Sequence, residues 1–537
     1  MNANTMTKIG FLDLPSELRN AIYDHYATPE GGYLVDPESN KLKTAKGDAP
    51  DLALMFTCKK VAYELKSHVL GYNTLTFSTY CPPFHDDWRD GQPIPDAFDL
   101  IMQTVTQEFG LSLDSKTLPD AFFYSDIDKI VSSAYPTLAP YLEHLRTKGD
   151  RDVPIRTGLH GSAGQVPSVF RSFARSLMRE IVARQLQYKA APFHHYSQDG
   201  LQNLVLLDPE PWSIPTAADI LRMKTTIKDL GLPGLPRTRS SVEYKDRRVK
   251  RYFSAAAVAL RFLKSLSAND RQHLRTIILE ENHIGVAFSE CHGLGLIPFC
   301  QENPRLRVDR RANLWRNVLQ TTTAHHTWYD FRSNTFGTRR SLDDHTISYV
   351  VGIWMMEALE LGRAGMPAGS FTLTFTGGPG HQTCSDMFRA VVWRDATYQS
   401  AVETCIERRI IPFASWADKQ RSPPHHYVTR AYWWSSFDGF PQAVRDMFAG
   451  RSIVRCDFPI SCDGEWDAED YIRENGWNTI LYWAYYRWVD RPRSYSRIKP
   501  DPSWEEMLAE DEYTIETPSQ TWGPCNLDGC CICEQAT

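Results

Sequence analysis

The sequence lacks a long apolar run, an excess of either charge and any of the short signatures of a catalytic site. Its longest apolar run, Ile347 to Met356 in TISYVVGIWMMEALELG, stops at Glu357. A membrane-spanning helix needs roughly 20 such residues, so this stretch is expected to be a buried core helix. The 59 basic residues against 65 acidic ones leave a net charge of -6. A near-balanced chain has no overall positive field to draw it to nucleic acid or anionic lipid. The opening residues, MNANTMTKIGFLDLPSELR, contain no apolar stretch of the roughly 7–15 residues that follows a basic flank in a secretory signal. The expected location is therefore intracellular, in cytoplasm or nucleus. No GxSxG elbow or HExxH pair is present, no paired-carboxylate pattern accompanies the double histidines, and no repeat recurs at a solenoid or propeller period.

What is present is ordinary globular composition: 537 residues, 42% hydrophobic and 23% charged. A chain of that length buries one large core or a few smaller ones without disulfides or metal. The 12 cysteines do not form the compact framework of a small secreted domain. Cys58, Cys81, Cys291, Cys300, Cys384, Cys405, Cys456 and Cys462 stand singly among apolar or mixed neighbours, as small buried hydrophobes do.

The strongest local signal lies in FLDLPSELRNAIYDHYA. Pro15 suits a first helical position, Glu17 complements the positive end of the helix dipole, and Leu14, Leu18 and Ile22 recur every four residues. Such a stripe is expected to pack, and its natural partner is the second helix in PDLALMFTCKKVAYELKSHVLG, where Leu54, Cys58, Val61, Leu65 and Val69 form another stripe. The intervening GGYLVDPESNKLKTAKG reads as a small hairpin or an ordered loop, and YNTLTFS after Gly71 reads as a half-buried strand.

With Leu14, Pro15, Leu18, Ile22, Phe56, Cys58 and Lys59 in place, LPSELRNAIY followed by LALMFTCKKVAYEL resembles the F-box-like proteins abundant in filamentous fungi. A longer segment separates the two helices than in an ordinary F-box. GLIPFCQENPRLRVDRRANLWRN and the region of RCDFPISCDGEWDAEDYIRENGW resemble further stretches of those proteins. The resemblance implies an adaptor: an apolar face at Leu12, Leu14, Pro15, Leu18 and Ile22 docks the Skp linker subunit of a cullin ubiquitin ligase, and the rest of the chain receives a substrate. The residues alone leave open that the two helices simply cap the following domain, since an apolar helix face more often packs into a core than into an interface.

The expected fold class is α+β, with an F-box-like helical module at residues 9–80, a mixed α/β body at 96–499 that divides into two lobes, and an acidic, cysteine-rich tail at 500–537. Arg146 to Ser168 and Gly231 to Arg251 read as surface loops. SAAAVALRFLKSL reads as a helix, Leu274 to Leu279, SFTLTF and SIVRCDF as strands, and DATYQSAVETCIERR as a helix.

Several clusters invite sharper chemistry. The glycine loop TGGPGHQT before CSDMFRAVVW lacks the lysine and spacing of a phosphate-binding loop, so a turn capped by Thr383 or Ser385 is the better reading. His283, Cys291, His292 and Cys300 lack the paired close ligands of a zinc site. Cys525, Cys530, Cys531 and Cys533 read as exposed thiols of a disordered tail, and His194-His195, His325-His326 and His425-His426 as surface or partly buried pairs. KDRRVKRYF and RLRVDRRANLWRN read as solvated helix faces, or as a nuclear import signal in the case of Lys245 to Arg251, rather than a nucleic-acid groove. The expectation is thus a non-enzymatic adaptor without cofactor or metal. An enzyme whose residues meet only in three dimensions, and a structural or regulatory protein, remain the rivals.

Overall fold

The computed structural model describes residues 10–83, 93–112, 127–139, 142–143, 166–184, 198–207, 209–229, 250–319, 344–410, 437–461, 467–475 and 503–511. Its first helix, α1 (Ser16–Ala27), leads into a hairpin of β1 (Tyr33–Asp36) and β2 (Lys41–Thr44). The second helix, α2 (Lys59–Gly71), and β3 (Thr74–Ser78) follow. Further on come β4 (Thr276–Glu281), β5 (Arg307–Asn313), β6 (Phe371–Thr376) and β7 (Val454–Cys456).

Among the described residues these strands make one seven-stranded sheet in the order β2-β1-β3-β4-β5-β6-β7, antiparallel only between β1 and β2. The protein is therefore a mixed α/β fold built on a mostly parallel sheet, where α+β segregation was expected. The reason is connectivity: after the β1–β2 hairpin, helical segments separate each strand from the next, and such crossovers return the chain in the parallel sense. The outer strand β2 presents Lys41 and Lys43, charged side chains that discourage pairing with another chain.

The register aligns one inward face. Leu75, Ile277, Val308 and Phe371 stand in a row, and Phe77, Leu279, Arg310 and Leu373 form the next. All eight are buried. The helix Ala255–Ser265 and the helix Asp344–Arg363 pack into the same core. The latter carries the long apolar run, with Ile347, Val350, Val351, Trp354 and Met355 buried as expected. On the outward face Thr76, Ile278, Asp309 and Thr372 alternate with these and stay half-buried. There Arg311 bonds Asp309 at 2.7 Å and Glu280 at 3.2 Å, and the Thr374 hydroxyl donates to Asp309 at 2.9 Å.

The first helices do not pack apart from the body. Tyr23, Ala27, Val35, Val61 and Leu65 share one core with the sheet and its helices. A second core gathers Phe98 and Ile101 of α3 (Ile94–Ser112) with Phe173 and Leu177 of the helix Pro167–Ala183 and Met223 of the helix Ala217–Asp229. Ser168, expected in a loop, thus starts a helix, and most of both anticipated loops lies outside the described residues.

RLRVDRRANLWRN is not a solvated helix face. Its middle is the inner strand β5, with Val308, Arg310 and Ala312 turned inward. Arg310, 2% exposed, donates to Glu281 Oε1 from Nε at 2.9 Å and from Nη2 at 2.7 Å. Glu281, fully buried, also accepts from the backbone N–H groups of Ala255 at 2.9 Å and Ala256 at 3.3 Å. A carboxylate at the start of a helix takes its orphan donors and the positive end of its dipole together. Arg310 completes its valence on the carbonyls of Ser289 and Glu290 and lies 4.7 Å over the Trp354 ring. Breaking a buried pair leaves the remaining charge uncompensated, so Glu281→Gln is expected to cost about 3–5 kcal/mol of stability. Urea unfolding checks this, and a loss below roughly 1 kcal/mol would show that the pair does not hold the sheet to its helices.

Candidate functional site

α1 is fixed by its polar side. Arg19 donates to Glu64 of α2 from Nε at 3.1 Å and from Nη2 at 2.9 Å, and to the Leu14 carbonyl at 2.6 Å. The Tyr23 hydroxyl donates to the same carboxylate at 2.9 Å. His68 and Asp24 meet at 2.7 Å, and Asn73 donates to the Ala27 carbonyl at 2.8 Å. Arg19 beside it holds the Glu64 carboxyl below its ordinary range, while burial beside that carboxylate lifts the Tyr23 phenol to about 12.

This latch turns the helix. The expected packing of Leu14, Leu18 and Ile22 against α2 does not occur; the buried residues of α1 are Arg19, Tyr23 and Ala27. Leu18 is 53% exposed, Leu12 45% and Ile22 41%. Leu14 is half-buried and Pro15 exposed. Of the α2 stripe, Val61, Leu65 and Val69 are buried as expected. Phe56, at 82% exposed, adds a further uncovered ring just before α2.

The carboxyl ends of parallel strands are where α/β proteins usually gather chemistry, and three groups sit there or nearby. In the first, Ser254 and His292 lie 2.7 Å apart and His292 Nε2 is 2.9 Å from the Ala287 carbonyl. Nε2 therefore carries the proton, Nδ1 accepts from the serine, and burial pushes the imidazole down to about 3. Ser254 also caps the helix Ala255–Ser265 by accepting from Ala257 N–H at 3.0 Å. Both side chains are sealed, at 0% and 1% exposure, so this serine–histidine pair ties structure rather than meeting a substrate. It braces a strained turn: Ala287 and Phe288 both adopt positive φ, at 59° and 63°, and Asp99 accepts from Ala287 N–H at 2.8 Å.

In the second group, Arg171 lies 3.7 Å from Glu357 and 4.0 Å from Glu290, over the Phe288 ring. Ser168 N–H donates to Glu357 at 2.8 Å. Burial lifts the Glu357 carboxyl to about 7 and the neighbouring Cys291 thiol to about 12, so the cysteine is no thiolate.

The third is the glycine loop after β6. Gly377 N–H donates to Asp457 at 2.9 Å, so the protein's own carboxylate fills the place of an external anion, and His381 stands 3.5 Å from the same group. The following helix begins at His381 without a side-chain cap; Ser385 instead donates back to the His381 carbonyl at 3.0 Å, which corrects the expected capping by Thr383 or Ser385. Cys384 in this helix is buried, with its thiol pushed up to about 12.

The four residues weighed and set aside as a zinc site go to separate places. His283 stacks on Tyr252 at 4.1 Å and bonds Asp511 at 3.2 Å, Cys291 and His292 join the two sealed groups, and Cys300 is buried in the main core. Among the described residues no cluster of ligands suits a metal ion, and no helix is long and apolar enough to cross a membrane. The Cys525, Cys530, Cys531 and Cys533 tail, Cys462 and the three histidine pairs lie outside the described residues. What sequence reasoning missed is the whole buried polar layer, because its members come from segments far apart in the chain. The chain matches no protein-family model, no curated protein and no solved structure.

Glu357 makes stability depend on pH. Its folded pKa of about 7 lies above the ordinary 4.5, so its stabilising contribution is full below pH 4.5 and is lost as pH rises through 7. Glu357→Gln removes that titration. The difference in thermal midpoint between variant and parent is expected to shift in the variant's favour between pH 4.5 and 7. A difference that stays flat over that window would place the group's titration elsewhere.

Proposed function

We propose that this chain is a protein-interaction adaptor, with Leu12, Leu14, Pro15, Leu18 and Ile22 as its docking edge for another protein. The observation that carries the reading is the exposure of Leu18 and Ile22 on a helix whose opposite side is locked to the body through Arg19, Tyr23 and Asp24, with Leu12 exposed on the turn just before it. A rigid helix with uncovered leucines loses little entropy on docking, and covering apolar surface returns roughly 25 cal/mol per Å2. The resemblance of LPSELRNAIY and LALMFTCKKVAYEL to F-box-like sequences supplies the partner class: the Skp linker subunit of a cullin ubiquitin ligase, with the body holding a substrate.

The leucine row belongs to a helix that shares the sheet's core, so the adaptor and receptor parts act as one body. This suits a receptor that must hold its cargo at a fixed position relative to the ligase.

Because Leu18 and Ile22 face solvent, substitutions there are expected to leave stability within about 0.5 kcal/mol of the parent. The double variant Leu18→Asp, Ile22→Asp is expected to weaken binding of purified Skp linker subunit by about 100-fold, since each side chain withdrawn from an interface costs roughly 1.5–3 kcal/mol. Calorimetric titration of the full chain reads the affinity, and thermal melting checks the fold. An intact chain that does not bind the Skp subunit sinks the ligase reading; a variant that binds as well as the parent sinks the assignment of the edge.

A further inference from the structure

Three arginines of this chain share one arrangement. Arg19 sends Nη1 to the Leu14 carbonyl at 2.6 Å and lays its Nε–Nη2 edge on both oxygens of Glu64. Arg271 sends Nη1 to the Leu263 and Leu266 carbonyls, at 3.3 and 2.6 Å, and lays the same edge on Glu302, at 2.7 and 3.0 Å. Arg310 repeats this with the Glu290 carbonyl and Glu281. One amino group pinned to backbone fixes the plane of the guanidinium, and the opposite edge is then a preset fork for a carboxylate.

Two further arginines carry the pin without the carboxylate. Arg275, just before β4, donates from Nη1 to the Gln272 and Leu274 carbonyls, each at 2.8 Å. Arg307, the first residue of β5, donates from Nη1 to the Pro304 and Leu306 carbonyls at 2.7 and 3.0 Å. Neither Nε–Nη2 edge has a partner among the described residues. Nor is either edge sealed, since Arg307 is exposed and Arg275 half-buried with no enclosed polar atom.

Neighbouring strands bring the two together. Thr276 pairs with Arg307, whose N–H donates to the Arg275 carbonyl at 2.7 Å. Arg305, exposed, adds a third guanidinium: its Nη2 lies 3.5 Å from the Gln272 carbonyl that Arg275 also holds. Burial and this like charge push the Arg275 pKa down. The acids nearest in sequence are taken: Asp270 by Lys66 at 2.8 Å, Glu302 by Arg271 at 2.7 Å and Asp309 by Arg311 at 2.7 Å. The amino edge of β4 and β5 thus presents three guanidiniums without a carboxylate, and near Arg275 the Tyr72 ring, 64% exposed.

We propose that this edge docks an acidic segment of a protein partner, its carboxylates seated on the Nε–Nη2 edges of Arg275 and Arg307 with Arg305 adding attraction. The chain itself shows what these forks take, since Arg19 and Arg271 fill theirs with glutamate. Exposed side chains on a sheet edge suit an extended segment rather than a small molecule, which needs a concave site. The net charge of -6 opposes a long polyanion such as nucleic acid, so the complement is a short acidic stretch. This surface uses no residue of the leucine edge and stands whether or not that edge docks a Skp subunit; in an adaptor it selects cargo with an acidic docking segment.

The test is fluorescence anisotropy of labelled hexaglutamate titrated with the full chain, beside labelled hexaglutamine, with inorganic phosphate and a hexamer of deoxythymidylate as competitors. Hexaglutamate is expected to bind, with an affinity that falls as salt is raised, and hexaglutamine not to bind. Arg275→Gln and Arg307→Gln are each expected to weaken hexaglutamate by about fivefold, with thermal melting as the check on folding. Arg307→Lys, which keeps the charge but not the fork, is expected to recover only part of that loss. Arg305→Gln, exposed and holding a single 3.5 Å contact, is expected to weaken binding by about threefold with the fold intact, and it decides the matter if the other two variants unfold. Absence of hexaglutamate binding overturns the proposal, as does binding indifferent to folded variants of these arginines. Full recovery by Arg307→Lys overturns the fork. Displacement by phosphate or by the thymidylate hexamer at the same concentration as by unlabelled hexaglutamate would mark an unselective anion surface and overturn the assignment of an acidic peptide.

Discussion

The structure is organised around one carboxylate. Glu281, at the end of β4 and fully buried, takes the first N–H groups of the helix Ala255–Ser265 and the guanidinium of Arg310 on β5. Arg310 in turn grips the Ser289 and Glu290 carbonyls and lies against Trp354 of the helix Asp344–Arg363. Two strands, two helices and a strained turn are thus referred to a single ion pair. Apolar packing alone is non-directional; these bonds set where each helix begins relative to the sheet. Asn317, donating to the Glu281 carbonyl at 3.2 Å, extends the same control to the segment after β5.

Much of the secondary structure was legible. Period-four and period-two patterns located α1, α2, β3, β6 and the helix Asp344–Arg363, because those segments follow the rule that one face is apolar. β5 was not legible. Its inward residues include Arg310, and a charge where an apolar residue is expected destroys the alternation that marks a strand. The pairing order could not be read either, since parallel pairing joins segments that carry no local signal of their partner. The direction of α1 escaped for a different reason: the helix has two plausible faces, and the latch through Glu64 decides between them.

The candidate site was half legible. Leu12, Leu14, Pro15, Leu18 and Ile22 were identified by residue type and spacing, but their exposure depends on Arg19 and Tyr23 finding one carboxylate on α2. The segment between the first two helices, read as a hairpin or a loop, supplies the outer strands of the sheet, so the N-terminal helices are anchored by backbone pairing as well as by side chains.

The strand order has a consequence for how the chain is made. β3 adds to β1 on the side away from β2, and from β4 to β7 each strand lies beside the one synthesised before it. A chain emerging from the ribosome amino end first therefore extends its sheet outward from a finished edge, never inserting a strand between two already joined. The long stretch between β3 and β4 leaves that growing edge uncovered for the longest interval of synthesis. Chaperone occupancy is most needed there, before Thr276 arrives to pair with Thr74.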